Sequence, residues 1–235
     1  MTQTNKKYYF GKDLEAMSFA NNYHRWLLAE FLPYLKGSVA EVGAGIGNVS
    51  KLILESNINS LTAFEPSVNM YPLLEKAFKK DMRAKAVNDF LCIEDGDASF
   101  DSVLYVNVLE HIEDDVCELA CAHTAMTSGG HIMIFVPALP WLYSELDTQF
   151  GHFRRYTKDR LLALIQRSGF SIVKARYFDL AGIIPWFINY TLLKNTMNGQ
   201  NVFIYDRLVV PVMRVIESLV SPFIGKNILL VARKK

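Results

Sequence analysis

The chain has 235 residues, a formal net charge of +1 and a hydrophobic fraction of 51%. That length suits one α/β domain with an elaboration, and the near-neutral charge lacks the basic excess of a domain built to hold nucleic acid. Three cysteines, Cys92, Cys117 and Cys121, form no CxxC pair, which excludes a zinc knuckle or a disulfide framework.

The first sixteen residues, MTQTNKKYYFGKDLEA, show no apolar leader core, so a reducing cytoplasm is the expected compartment. Residues 13–35 carry Leu14, Met17, Ala20, Trp26, Leu27, Leu28 and Phe31 near helical spacing, and Pro33 and Gly37 end that segment. Tyr8, Tyr9 and Tyr23 fit either an N-terminal lid or the core. A short β-like run at 38–42 leads straight into glycines. Residues 48–56 read as a helix and 61–64 as a second strand. A helix over 66–80 precedes a third strand at 83–88 and a fourth at 102–106. Asp114 or Asp115 caps a helix that runs to about Met126 and stops at Ser128-Gly129-Gly130. Residues 131–136 form a fifth strand. Thr157 is a good N-cap for 158–167, and Gly169 ends that helix. Residues 170–175 and 227–231 complete the strands. Alternating units of this size predict a mostly parallel sheet with helices on both faces.

In open α/β sheets, ligands bind beyond the carboxyl ends of the strands. Gly43-Ala44-Gly45-Ile46-Gly47 follows the first strand, Glu65 the second, Asp89 the third and Asn107 the fourth. Their convergence is more specific than any one of them. Glycines let the backbone approach a ligand closely, and the helix start behind them offers free N–H groups. Glu65 stands where an acid accepts ribose hydroxyls. Asp89 can accept from an adenine amine. Asp97 competes for that role, but it precedes the fourth strand, at the wrong end of the sheet.

With these residues in place, EVGAGIGN, FEPS, VNDF, YVNVLEHIEDD and GGHIMIFVPA resemble the successive motifs of the class I S-adenosylmethionine (SAM)-dependent methyltransferases. The resemblance spans residues 39–178 and resumes at the final strand. It implies a Rossmann-like, seven-stranded sheet in the order 3-2-1-4-5-7-6 with an antiparallel seventh strand. It also implies SAM as cofactor, with Glu41, Gly43, Ala44, Gly45 and Gly47 at the methionine end and Asn107 beside the amino group. Glu65 and Pro66 would then sit at the ribose, and Asp89 and Phe90 at the adenine. GHFRRYT further resembles a bacterial subgroup that methylates small molecules. One domain results: an N-terminal helical segment or lid (1–37), the cofactor core (38–178), a helical insertion (179–225) and the last strand (226–235).

Methyl transfer needs mainly orientation and water exclusion, and a base only for a protonated acceptor. His111, His152 and Tyr156 are the base candidates. His24, His123 and His131 read as structural. Arg154 and Arg155 either bind an acidic acceptor or pair with Glu145 and Asp147 to pin their loop. No metal is implied by the spacing of potential ligands. An NAD-linked oxidoreductase fits less well, because Asn48 stands where GxGxxG needs glycine. A catalytically silent SAM-binding module is the other alternative.

Residues 180–223 hold two apolar groups broken by Pro185 and Pro211, neither long enough to span a bilayer. Their surplus apolar surface is expected to close the acceptor side as a cap, with Trp186 touching a partly apolar acceptor. A homodimer seam and a membrane surface are the competing destinations.

Overall fold

The computed structural model describes residues 8–9, 17–91 and 99–235. Leu14, Cys92 and Asp97 therefore lie outside the described residues. Strands β1 (Ser38–Val42), β2 (Ser60–Phe64), β3 (Ala84–Val87), β4 (Phe100–Val106), β5 (Met126–Pro137), β6 (Phe170–Phe178) and β7 (Asn227–Lys234) form one sheet. Its order is β3-β2-β1-β4-β5-β7-β6, and β7 runs antiparallel to both neighbours. The sheet order and the lone antiparallel strand are those implied by the motif resemblance.

Alternation along the strands builds two cores, because successive side chains point to opposite faces. Ala40, Val103, Tyr105, Ile132, Ile134 and Leu230 face one side. There they meet Leu119 and Ala122 of α4 (Asp115–Ala125) and, beyond the short α5 (Glu145–Phe150), Leu161 and Ile165 of α6 (Lys158–Arg167). Val39, Leu61, Leu104, Met133, Phe135 and Leu229 face the other. They are covered by α1 (Asn21–Phe31), α2 (Asn48–Leu54) and α3 (Tyr71–Phe78) through Trp26, Phe31, Ile53 and Leu74. Each fully buried Leu or Phe here contributes about 2 kcal/mol. Only a sheet covered on both faces can run in parallel this way.

Caps fix the helix starts. Asp114 accepts from the Cys117 N–H, and Thr157 from the Arg160 N–H. Helix α4 ends at Ala125, and β5 begins one residue later, earlier than the predicted stop at Ser128-Gly129-Gly130. Lys234 Nζ reaches the carbonyls of His123 and Met126 at 2.6 and 2.7 Å and so satisfies that helix end. The glycines form an irregularity inside the strand: the β4–β5 register slips between Phe100↔Met126 and Ser102↔His131. Helix α3 starts at Tyr71, five residues after Pro66, because Pro66–Met70 turn back around the end of β2.

The insertion is helical: α7 (Ile183–Trp186) runs into a π-helical turn (Phe187–Leu192), followed by α8 (Gly199–Leu208) and α9 (Val210–Leu219). Two buried acids anchor it. Asp206 accepts from the Asn22 and Tyr23 N–H groups at the start of α1, at 3.1 and 2.8 Å. Glu217 accepts from Arg176 and from the backbone of Asp179 and Leu180. No helix among the described residues is long and apolar enough to cross a membrane.

Candidate active site

The carboxyl ends of β1 to β4 open onto one cavity of about 600 Å³. The first wall is the turn after β1. Gly43 and Ala44 donate to the Phe64 carbonyl at 2.9 and 3.1 Å, which bends the chain across the end of β2. Gly43 sits at φ +66°, and a Cβ there would lie 2.5 Å from Val108 Cγ2. Gly47, at φ +84°, is the N-cap of α2. It sits behind the turn and does not line the cavity among the described residues.

Two buried acids brace this turn. Glu65 Oε2 accepts from the Gly45 N–H at 2.7 Å, and Oε1 from the Ser67 N–H at 2.8 Å. Each oxygen keeps a second lone pair for another donor. The Glu41 carboxyl is bonded by the Ser50 hydroxyl. Burial pushes its pKa up to about 8, with Glu65 adding to the rise and the Ser50 bond opposing it.

Asp89, Phe90 and Asn107 complete this half of the cavity together with Pro66. Asp89 is exposed, and its Oδ1 accepts from the Phe90 N–H at 3.0 Å. Asn107 holds φ +54°, a conformation that Asn tolerates better than most residues. Its N–H donates to the Phe135 carbonyl at 2.8 Å.

The opposite end is walled by Tyr9, Met17, His24, His111 and Phe153. The Tyr9 and His111 rings lie edge to face at 6.2 Å, so Tyr9, one of the lid candidates, lies at the cavity while Tyr23 is in the core. Burial pushes the His24 pKa down to about 4. Burial, helped by the neighbouring His152, pushes that of His111 down to about 3. His111 is therefore a neutral, poorly basic ring at pH 7.

The remaining sequence-predicted residues lie away from the cavity. Arg155 is 3% exposed and donates to both Asp147 oxygens, at 2.9 and 3.1 Å. Trp186 covers that guanidinium at 4.5 Å and donates from Nε1 to the Leu142 carbonyl. Arg154 donates to Asp115 and to the Glu113 carbonyl, both at 2.7 Å. Tyr156 is fully buried, and its hydroxyl donates to Asp115 at 2.9 Å. Burial and Asp115 push its pKa up. The anion-binding reading of Arg154 and Arg155 and the base reading of Tyr156 are thus corrected: their polar atoms are taken by internal partners. His152 donates from Nδ1 to Asp147 at 2.9 Å.

The expected cap over the acceptor side is corrected too. No residue of 180–223 lines the cavity. Ile183 and Trp186 pack on one core, and Val202, Tyr205 and Val210 on the other, so the insertion's inner side is used up beside the sheet. Met17, His24 and Phe153 are cavity residues that the sequence reading did not assign to the site. Phe153 could have been found, since it lies inside GHFRRYT.

Comparison with known proteins agrees with this fold. A family profile described as a methyltransferase domain covers residues 17–175. The chain belongs to the class I SAM-dependent methyltransferases. A tRNA U34 carboxymethyltransferase of Campylobacter concisus is 30% identical over 185 residues, 74% of this chain and 58% of that protein. This methyltransferase chain thus spans little more than half of that relative. Among solved structures, a SAM-dependent methyltransferase from Archaeoglobus fulgidus superposes with a TM-score of 0.65 at 17% identity, over 97% of this chain and all of that one. Haemonchus contortus phosphoethanolamine N-methyltransferase 2, solved with SAM, gives 0.64 at 16% identity, over 91% of this chain and 52% of that one.

Proposed function

We propose that the chain binds SAM in the cavity at the ends of β1 to β4 and transfers its methyl group to a small-molecule acceptor. The observation that carries this reading is the convergence of Glu41, the Gly43–Gly45 turn, Glu65, Asp89, Phe90 and Asn107 on that cavity. Its volume falls in the range of small-molecule sites. The residues fit the cofactor. The Gly43–Gly45 turn brings backbone to the cavity wall, the spare lone pairs of Glu65 suit two ribose hydroxyls, and exposed Asp89 suits an amine.

Bound there, SAM supplies a methyl group activated by a sulfonium. Glu65 fixes the ribose and the glycine turn together. Glu41 and Asn107 hold the methionine end. Tyr9, Met17, His111 and Phe153 exclude water at the far end and shape the acceptor side. That methyl carbon would be open to in-line displacement by an acceptor lone pair, with the thioether as leaving group. Orientation supplies most of the rate, and His111, poorly basic, serves as a polar wall.

A tRNA acceptor is the second reading, favoured by the name of the Campylobacter relative. The net charge of +1 opposes it. Incubation with methyl-labelled SAM and either total tRNA or a small-molecule cell extract tests the choice. Label in a small organic product supports the proposal, whereas label in tRNA alone overturns the acceptor class.

A further inference from the structure

Behind the His111 wall lies a group of side chains that cofactor binding does not use. Glu110, His111 and His152 each bring a ligand-capable atom within 4.8 Å of the other two. Glu110 is 1% exposed, and neither of its carboxylate oxygens has a hydrogen-bond partner. A buried carboxylate in that state calls for a proton or a cation.

His152 is oriented from behind. Asp147 accepts from His152 Nδ1 at 2.9 Å, which leaves Nε2 bare in the neutral ring. The Phe150 backbone favours the charged form of the His111 ring, as a carbonyl facing one of its nitrogens does. The two rings meet edge to face at 4.5 Å. Asp147 is itself fixed by Arg155 and by the Ser144 hydroxyl and N–H. A ring nitrogen held by a carboxylate or carbonyl, with the other nitrogen bare, is how proteins orient metal-binding histidines.

We propose that Glu110, His111 and His152 hold a divalent transition-metal ion of the zinc type against the acceptor-side wall of the cavity. Two imidazoles and one carboxylate suit zinc, iron(II) or cobalt(II). Magnesium and calcium prefer all-oxygen sets. Three protein donors leave coordination positions for exchangeable ligands. The site stands whether or not the acceptor is a small molecule.

The full chain, stripped with a chelator and freed of it, is titrated with cobalt(II) and followed by its visible d–d bands. One equivalent should saturate the spectrum, and zinc(II) should displace it. Glu110→Gln and His152→Gln should weaken binding at least tenfold. Asp147→Asn, which loosens His152 and also weakens the buried pair with Arg155, should weaken it about 10- to 100-fold. Thermal melts identify any variant that fails to fold, and the wild-type titration decides the matter without them. Wild-type protein that shows no cobalt bands, or a folded His152→Gln variant with wild-type affinity, overturns the site. SAM binding measured on the same samples keeps this outcome separate from the methyltransferase reading.

A second surface rests on different observations. In the insertion, Ile184, Leu192, Leu208, Leu219, Val220 and Phe223 are each more than 60% exposed. Its two acids, Asp206 and Glu217, are buried, and Arg207 and Arg214 are exposed, while Lys194 pairs with exposed Glu145 at 2.6 Å. The outer surface of α8 and α9 is thus apolar and cationic with no exposed acid of its own, the composition that suits an anionic lipid surface. We infer that this face docks on an anionic bilayer.

Co-sedimentation with vesicles of phosphatidylglycerol and phosphatidylcholine tests it. Binding should be at least tenfold stronger than to phosphatidylcholine alone. It should weaken with salt and fall at least tenfold in the double variant Arg207→Glu, Arg214→Glu. No preference for anionic vesicles overturns the inference. So does a concentration-dependent dimer that Leu219→Asp dissociates, since a second copy would then cover the face.

Discussion

The Glu65 carboxylate closes the glycine turn from twenty residues away: its Oε2 accepts the Gly45 N–H at 2.7 Å. The acid assigned to the ribose is therefore also a strut of the loop that faces the methionine end. The cofactor contacts proposed on β1 and on β2 would be coupled through one side chain.

Gly43 is the tightest point of that loop. Gly43→Ala meets two penalties: a left-handed φ and a Cβ 2.5 Å from Val108 Cγ2. Together they should cost about 1–3 kcal/mol of stability. In denaturant titrations Val108→Ala should recover the packing part in the double variant and leave the backbone part. Full additivity of the two single variants would show that the clash does not matter.

Arg155 and Asp147 form a buried pair, so the effect of breaking it should be on stability. Arg155→Leu strands the Asp147 charge and should lower stability by about 3–5 kcal/mol. SAM affinity of the protein that remains folded should be unchanged. A variant of normal stability with weakened acceptor use would restore the anion-binding reading.

Much of this was legible in the sequence. The turn residues and apolar runs marked every strand, and the residues after β1 to β4 marked the cavity, because ligand position follows from strand direction. The insertion was not, since an apolar helix gives no sign of which neighbour it meets. Asp206 and Glu217 decide that, through partners about 180 and 40 residues away. Arg154 and Arg155 stayed open between two readings for the same reason: a guanidinium looks alike whether its carboxylate belongs to a ligand or to Asp147. The Glu110–His111–His152 group was hidden by a gap of some forty residues, unlike the short spacings of familiar metal motifs.

His24 gives stability a pH dependence of known sign. Burial lowers its pKa from 6.5 to about 4. Between those values the unfolded chain binds a proton that the folded chain does not. The contribution is complete above pH 6.5 and is lost as pH falls toward 4. It should amount to a decrease of about 2 kcal/mol between pH 7.5 and 5. His111 acts in the same direction, while Glu41 and Glu110, raised to about 8 and 7, act against it. Urea unfolding of wild type and His24→Gln isolates the His24 part, and parallel pH profiles would refute it.

Glu41 should link cofactor binding to a proton. With its pKa raised to about 8, the carboxyl is mostly protonated at pH 7. An ammonium group placed beside it favours the charged form and should release that proton. Calorimetry of SAM binding in buffers of different ionisation enthalpy should show proton release at pH 7 in wild type that is reduced in Glu41→Gln. Identical proton release in both proteins would remove Glu41 from the linkage.

Equilibrium binding of SAM to wild type and to Glu65→Ala tests the cofactor site most directly. The variant loses charged hydrogen bonds worth about 2–3 kcal/mol, so its Kd should rise about 30- to 150-fold, while NAD should bind to neither protein. A folded Glu65→Ala variant that binds SAM as tightly as wild type, or a wild type that prefers NAD, would contradict the assignment of this cavity.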